Sequence, residues 1–333
     1  MDAYEQRERI ARELDTIGHA IVPNHLPSWL CDRLCAHCDE VLGSAQCEVA
    51  DTPWMPAGIN PFDPANPPWS EGNLAKLLAA GKPCVSSRRY RHEIRHPIGD
   101  AKGLAAATTA GRMVELHAHL LRSNPQRLRL MQHMLVRTDH DPNSSAGPRD
   151  WHADHAFLSQ DYAVSPRRIF YHTVIALKDI LPGGGGTMLI PESLQRARQM
   201  LDATPHERIV EQCQATAGDG FGYNLRSLAD VKPGDCAADP IEISLRQGEM
   251  MIFDPMQLHA ESVNKMLTPR YVLFQNFFDI DAADQCLPLR GSSAPAMKFP
   301  AALREALGAN HKSLCDWSYP SSSAALETAL ARL

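Results

Sequence analysis

Between residues 128 and 280, short apolar segments alternate with turn residues, and this pattern constrains the fold more than any other feature of the chain. Pro182 and the four glycines Gly183–Gly186, for example, mark a sharp turn into the next apolar segment. The predicted strands cover residues 128–137, 168–178, 187–190, 241–245, 250–253 and 271–278. Short strands joined by turns, with little helix among them, favour two packed antiparallel sheets. We therefore predict a mostly β protein with flanking helices and a double-stranded β-helix (jelly-roll) core.

A candidate metal site begins with His152 and Asp154, which share one face of an extended strand because side chains alternate with period two. A third ligand must come from elsewhere in the fold, and His259, at the end of the run 248–259, is the best candidate. Two histidines and one carboxylate on one face of a metal ion leave other positions open, as in the facial triad of non-haem iron(II) sites. His152, Asp154 and His259 are therefore the predicted metal ligands.

Arg270 opens the strongly apolar strand that runs to Phe278. An arginine at the start of a buried strand needs an anionic partner. A dicarboxylate bound to the metal ion would supply one.

Taken in order, these pieces resemble the phytanoyl-CoA hydroxylase-like (PhyH) family of iron(II)/2-oxoglutarate dioxygenases. The opening segment 15–23, ahead of a helix, is also similar to that family. The other matching pieces are His152-Ala-Asp154, the strand and glycine turn of 174–193, and His259 with Asn264 and Arg270 behind it. The resemblance implies a jelly-roll dioxygenase that uses Fe(II), 2-oxoglutarate and O2.

The resemblance also implies how the cosubstrate is held. 2-Oxoglutarate would bind the metal through its keto oxygen and near carboxylate, and its far carboxylate would pair with Arg270. The other predicted cosubstrate-binding residues are Ser262, Asn264, His133 and Thr173. Glu261 departs from the family pattern, in which a small hydroxyl residue often stands two positions beyond the histidine. Asp154 stands where halogenating relatives have a small residue, which favours hydroxylation or a related oxidation.

By the same resemblance, the expected reaction oxidises an unactivated C–H bond of a small-molecule substrate and releases succinate and CO2. Hydroxylation is the expected outcome, with desaturation and ring closure as alternatives. Candidate substrates are an amino acid, a carrier-bound acyl group and a secondary metabolite.

The whole chain, residues 1–333, is expected to form a single dioxygenase domain. Residues 1–127 are predicted to be largely helical with a long proline-rich loop at 51–68, residues 128–280 to form the jelly-roll core, and residues 281–333 to add a helical cover. One alanine-rich helix is predicted over 100–123.

The segment 86–96 is a basic cluster in an acidic protein. A solvated face explains most charge runs of this kind. The alternative is a patch that meets a carboxylate or phosphate of the substrate. On that basis the predicted substrate-binding residues are Arg88, Arg89, Arg137 and Trp151.

Cys31, Cys35 and Cys38 have the spacing of radical S-adenosylmethionine enzymes, in which three thiolates hold an iron–sulfur cluster. The same spacing places them on one face of a predicted helix, where cysteine packs as a small apolar residue. The buried stripe is the favoured interpretation, and the cluster remains an alternative function. A non-oxidative metal-binding jelly-roll protein, such as a binding protein or a zinc hydrolase with the same three ligands, is a second alternative.

Composition limits the partners and the location of the protein. The net charge of −6 argues against a nucleic-acid binder, and no apolar run reaches the roughly 18 residues of a membrane span. The N-terminus lacks the pattern of a secretory signal, and nine cysteines, an odd number, do not suit a disulfide framework. The expected partner is a small-molecule substrate and the expected location is the cytoplasm.

Overall fold

The structure, a computed structural model, describes residues 3–43, 84–88, 90–95, 99–142, 148–153, 170–191, 193–203, 205, 236, 238–279, 299 and 301–316. Its strands are β1 (His19–Val22), β2 (Cys84–Arg88), β3 (Arg91–Arg95), β4 (Leu128–Thr138), β5 (Arg149–His152), β6 (His172–Ala176), β7 (Thr187–Leu189), β8 (Ile241–Glu242), β9 (Met250–Phe253), β10 (His259–Glu261) and β11 (Arg270–Asp279). Its helices are α1 (Ala3–Ile17), α2 (Ser28–Leu42), α3 (Ala101–Thr109), α4 (Met113–Leu120), α5 (Ser193–Ala203) and α6 (Ala301–His311). None of these helices is long and apolar enough to cross a membrane.

The strands form two antiparallel sheets. The larger sheet has the strand order β1-β9-β6-β11-β4-β3-β2, and the smaller sheet has the order β5-β10-β7-β8. Strands that are neighbours in the larger sheet can be distant in the sequence. In the middle of that sheet, for example, β11 pairs with both β4 and β6. This arrangement is the predicted jelly-roll architecture, and the two sheets formed by the described strands do not close into a barrel.

Each face of the larger sheet buries its own apolar cluster. The inter-sheet core lies between the two sheets and includes Val136, Val272 and Phe253 from the larger sheet and Leu189 from the smaller one. The helix-side core lies on the opposite face, where Leu273 and other strand residues pack against α1 and α2. Because side chains alternate along a strand, neighbouring residues of β11 serve different cores.

The sequence located most described strands to within a few residues. Met250–Phe253 is a strand as predicted, and β4 and β11 extend the predicted segments by one or two residues. The proline-rich segment 51–68 lies outside the described residues.

The alanine-rich segment 100–123 is not the single helix that its composition predicted. It forms α3 and α4, separated by a short 3-10 helix at Ala110–Arg112. Gly111 has a φ of +53°, and a Cβ at this position would lie 2.8 Å from Nδ1 of His25. The chain therefore breaks at a residue where both the backbone conformation and the nearby His25 side chain favour glycine.

The basic cluster 86–96 is also different from a solvated face. Its described part forms the β2–β3 hairpin at the edge of the larger sheet. His92 and Ile94 are buried, and Arg91 and Glu93 point to the other face of β3 and pair with each other. The charges of β3 thus enter the interior of the sandwich.

Cys31, Cys35 and Cys38 lie on the inner face of α2 and are 0%, 4% and 1% exposed. Burial raises the pKa of the Cys31 thiol to about 11 and that of the Cys35 thiol to about 12, so both are protonated at neutral pH. Cysteine binds a metal ion as the thiolate, not as the protonated thiol. Among the described residues, no group of three or more His, Cys, Asp or Glu side chains is placed to hold a metal ion. The cysteines therefore pack as apolar residues, as the buried-stripe interpretation expected.

Replacing all three by serine is expected to lower the free energy of unfolding by about 1–3 kcal/mol for each buried hydroxyl that lacks a partner. Chemical denaturation of the triple variant, with the half-buried Cys315→Ser as the control, measures the loss. A variant as stable as the parent protein would show that the stripe is not tightly packed.

Candidate metal centre and anion site

His152 and His259 face each other across two neighbouring strands of the smaller sheet. In the β5–β10 pairing His259 lies directly opposite His152, and β7 flanks β10 on its other side. The centroids of the two imidazole rings are 4.2 Å apart. Cross-strand partners on one face have Cβ atoms only about 5 Å apart. The strand register alone therefore brings the two predicted histidine ligands together.

A backbone contact fixes the tautomer of His259. Its Nδ1 lies 2.8 Å from the carbonyl oxygen of Gln257. Since a carbonyl only accepts, Nδ1 carries the proton and Nε2 carries the lone pair that a metal ion would use. Gln257 is held in turn, because its amide donates to the carbonyl of Ile17 at 2.8 Å. Outer contacts of this kind orient metal-binding histidines.

Asp154, the third predicted ligand, lies outside the described residues, because the described part of the chain after β5 ends at Ala153.

His172 and Phe253 line the same place. Their ring centroids lie 5.5 Å and 5.0 Å from that of His259. Asn276 accepts from the backbone N–H of Thr173 at 2.9 Å, so its amide nitrogen is the atom 3.0 Å from Nδ1 of His172. His172 therefore accepts at Nδ1 and, when neutral, carries its proton on Nε2. Sequence reasoning did not identify His172 as a site residue, because its register opposite Phe253 is a property of the folded sheet.

Arg270 is buried on the inner face of the larger sheet, 5% exposed. Among the described residues it has no ion pair, and its Nε has no hydrogen-bond partner. Burial, followed by the charge of Arg91, lowers the pKa of Arg270 to about 10, so the group is still a cation at neutral pH. A buried cation of this kind is costly unless an anion compensates it.

Thr138 lies directly opposite Arg270 in the β4–β11 pairing. Its hydroxyl is buried and also has no hydrogen-bond partner among the described residues. Buried polar groups are almost always satisfied. Two adjacent donors without a partner in the described part of the chain therefore suit an anionic oxygen, and Thr138 is a residue that sequence reasoning missed.

Two acidic side chains whose charges act on Arg270, Glu242 and Glu261, accept hydrogen bonds from other groups. Glu242 accepts from the backbone N–H groups of Gly183, Gly185 and Gly186 at 2.7, 3.1 and 2.8 Å, and from the Ser262 hydroxyl at 3.3 Å. Glu261 pairs with Arg91, which also contacts Glu93 at 2.8 Å. The glycine turn thus wraps a carboxylate of the protein itself.

Asn264 anchors the loop between β10 and β11. Its amide nitrogen donates to the carbonyls of Thr138 and Thr268 at 2.9 and 3.0 Å, and its oxygen accepts from the N–H of Met266 at 3.0 Å. These bonds position Thr138 beside the start of β11. Asn264 therefore shapes the anion site through the backbone, and Ser262 reaches it through Glu242.

Three predicted site residues lie on the opposite face of the larger sheet. His133 contacts Gln275 at 2.9 Å, Thr173 contacts His117 at 3.1 Å, and Arg137 pairs with Asp139 and Asp39 at 2.6 and 3.0 Å. All three face the helices, because they differ by one strand position from the residues that face inward. The structure does not bring them to Arg270.

The remaining predicted site residues are Arg88, Arg89 and Trp151. Arg88 ends the outer strand β2, opposite Arg91, and Arg89 lies outside the described residues. Trp151 is half-buried and packs against the helix-side core.

Comparison with known proteins gives a consistent answer. The family model "Phytanoyl-CoA dioxygenase (PhyH)" matches residues 15–270. The chain is similar to the epimerase SnoN in complex with Fe3+, alpha ketoglutarate and nogalamycin RO (TM-score 0.51, 15% identity, covering 83% of this chain and 84% of that one). It is also similar to the non-heme alpha ketoglutarate dependent carbocyclase SnoK from nogalamycin biosynthesis (TM-score 0.51, 16% identity, covering 85% of this chain and 87% of that one). At these identities the likeness shows a shared fold. None of the curated proteins matches the chain.

Replacing Glu242 by glutamine is expected to lower the free energy of unfolding by about 1–2 kcal/mol, because the glycine amides lose a charged acceptor. Glu249→Gln is the matched control, since Glu249 accepts a backbone N–H, that of Arg246, at an exposed position. Equal thermal unfolding of the two variants would contradict an anchoring role for Glu242.

Proposed function

The chain belongs to the phytanoyl-CoA dioxygenase (PhyH) family of non-haem iron, 2-oxoglutarate-dependent enzymes, and from that membership we propose that it oxidises an unactivated C–H bond of a small molecule. The family uses iron(II), 2-oxoglutarate and O2, and the reaction releases succinate and CO2. The burial of Arg270, a cation with no ion pair among the described residues, is the observation that supports cosubstrate binding at this site. A carboxylate of the cosubstrate compensates it.

His152, Asp154 and His259 are the proposed iron ligands. The cross-strand pairing of the two imidazoles and the tautomer of His259 support the histidine pair. Asp154 follows His152 at the spacing that puts two strand residues on one face. Imidazole and carboxylate donors suit iron(II), so the residues fit the ion.

The far carboxylate of 2-oxoglutarate pairs with Arg270 and accepts from the Thr138 hydroxyl. Both groups are buried, adjacent in register and without another partner among the described residues for the atoms concerned. A charge-assisted pair in a dry site is strong and directional. Ser262 and Asn264 act behind this pair, on Glu242 and on the loop before β11.

When bound, iron(II) supplies the activation of O2 that couples decarboxylation of 2-oxoglutarate to oxidation of the substrate. The chain's own residues set the conditions for that chemistry. Phe253, whose ring centroid lies 5.0 Å from that of His259, makes one side of the site apolar, and an apolar wall excludes water. Gln257 and Asn276 fix the tautomers of His259 and His172. The carboxylate at position 154 favours hydroxylation over halogenation, as the family resemblance implies.

The proposed substrate class is a secondary metabolite. The two structural neighbours are described as an epimerase with nogalamycin RO and a carbocyclase from nogalamycin biosynthesis, so more than one outcome is compatible with this fold. Mass spectrometry of a small-molecule panel, with iron(II), 2-oxoglutarate and O2 present, separates the outcomes. Gain of one oxygen atom indicates hydroxylation, and loss of two hydrogens indicates desaturation or ring closure.

His259→Ala and Asp154→Ala are each expected to abolish succinate formation while the fold is retained. Loss of an outer contact to a ligand already weakens metal binding by about 10–100-fold, so loss of a ligand is expected to weaken it by at least about 100-fold. Anaerobic titration with iron(II) measures the affinity. His119→Ala, which removes a histidine that pairs with Glu8 on the helical side, is the control. Turnover near that of the parent protein in either ligand variant would rule out this triad.

Arg270→Leu is expected to raise the apparent KM for 2-oxoglutarate by about one to three orders of magnitude, since loss of a buried charge pair costs about 2–5 kcal/mol. Iron binding is expected to persist. The measurement is succinate formation as a function of 2-oxoglutarate, with Arg137→Leu as the control on the opposite face of the same sheet. An unchanged dependence on 2-oxoglutarate would place the cosubstrate elsewhere.

A further inference from the structure

Arg91, Thr138 and Arg270 form one row across three adjacent strands. Thr138 is the register partner of both arginines, of Arg91 on β3 and of Arg270 on β11. Strands are about 4.8 Å apart, so the two arginine backbones are separated by about 10 Å. All three residues lie on the inner face of the larger sheet, and two guanidinium groups therefore flank one threonine.

Glu261 reaches this row from the smaller sheet. It follows His259 by two positions on β10 and pairs with Nη1 of Arg91. Glu261 forms no ion pair with Arg270 among the described residues, although its charge acts to raise the pKa of Arg270. Its carboxylate is held by Arg91, which lies two strands from Arg270 in the same row.

The other acidic groups near the row are also bound by donors other than Arg270. Glu93 contacts Arg91, and Glu242 is bound by three glycine amides and Ser262. Among Arg91, Arg270, Glu93, Glu242 and Glu261, Arg270 is therefore the one charged group without a hydrogen-bonded partner in the described part of the chain. An internal carboxylate that moved onto Arg270 would occupy the place of an anionic ligand.

We propose that Arg91 is a positioning residue that holds Glu261 away from Arg270 and so keeps Arg270 available to the far carboxylate of 2-oxoglutarate. The inference rests on the proposed function of Arg270. Without Arg91, the half-buried carboxylate of Glu261 lacks its principal partner, and Arg270 is the other cation of the same row. Glu261 then competes with the cosubstrate.

Two substitutions and their combination test this competition. Affinity for 2-oxoglutarate is measured by calorimetry on protein loaded with zinc(II), which involves no turnover. Arg91→Met is expected to raise the Kd by about tenfold or more, equivalent to ~1.4 kcal/mol. Glu261→Gln is expected to leave the Kd unchanged or lower it. In the double variant the competitor is absent, so the Kd is expected to return to within about threefold of that of Glu261→Gln, close to the ~0.5 kcal/mol within which substitutions that do not interact add.

The double variant separates competition from a purely structural role. The Arg91–Glu261 pair also connects the two sheets, and both the single and the double variant lose that connection. If the connection alone mattered, the double variant would bind as weakly as Arg91→Met. Arg304→Met is the control for the loss of an arginine–carboxylate pair. Arg304 lies on α6, on the helical side, and pairs with Asp316 at 2.6 Å.

Each outcome is decisive. An unchanged Kd in Arg91→Met, or a double variant as weak as Arg91→Met, overturns the positioning role while the parent protein still binds 2-oxoglutarate. Failure of the parent protein itself to bind 2-oxoglutarate overturns the proposed function and this inference together.

Discussion

A buried positive charge that the described protein does not neutralise is the constraint around which this site is arranged. Arg270 opens the central strand β11, between β4 and β6, so it cannot withdraw to solvent without unpairing the middle of the larger sheet. The cost of burying such a group is several kcal/mol unless an anion or hydrogen bonds offset it. The carboxylates of Glu242 and Glu261 do not offset this cost, because other donors bind them. Thr138 adds a second buried polar group without a hydrogen-bond partner among the described residues.

Sequence reasoning succeeded where the information is local. Apolar runs bounded by glycine and proline located Met250–Phe253 and β11, because strand alternation and turn chemistry act over a few residues. The proximity of His152 and His259 also agrees with the metal site that the sequence predicts, although the metal site itself stays a prediction. The break at Gly111 was missed because the space available beside this residue, limited by His25, is a property of the folded chain.

The parts that the sequence could not supply depend on strand register. Whether His133 or Thr138 shares the face of Arg270 is decided by a single position along β4, and composition is the same in either register. His133 and Thr173 were predicted to bind the cosubstrate and Arg137 the substrate, but all three lie on the face opposite Arg270. Likewise, the pairing of Glu261 with Arg91 joins two strands from different sheets, and the glycine turn gave no indication of the carboxylate that it surrounds.

The division of the site between two sheets has a consequence for the mechanics of the fold. His152 and His259 belong to the smaller sheet, and Arg270 belongs to the larger one. A dicarboxylate bound to a metal ion at these histidines and paired with Arg270 would therefore link the two sheets reversibly. Its binding free energy adds to the work needed to part the sheets. Amide hydrogen exchange in β10 and β11 then reports on occupancy, because separation of the two layers requires release of the ligand.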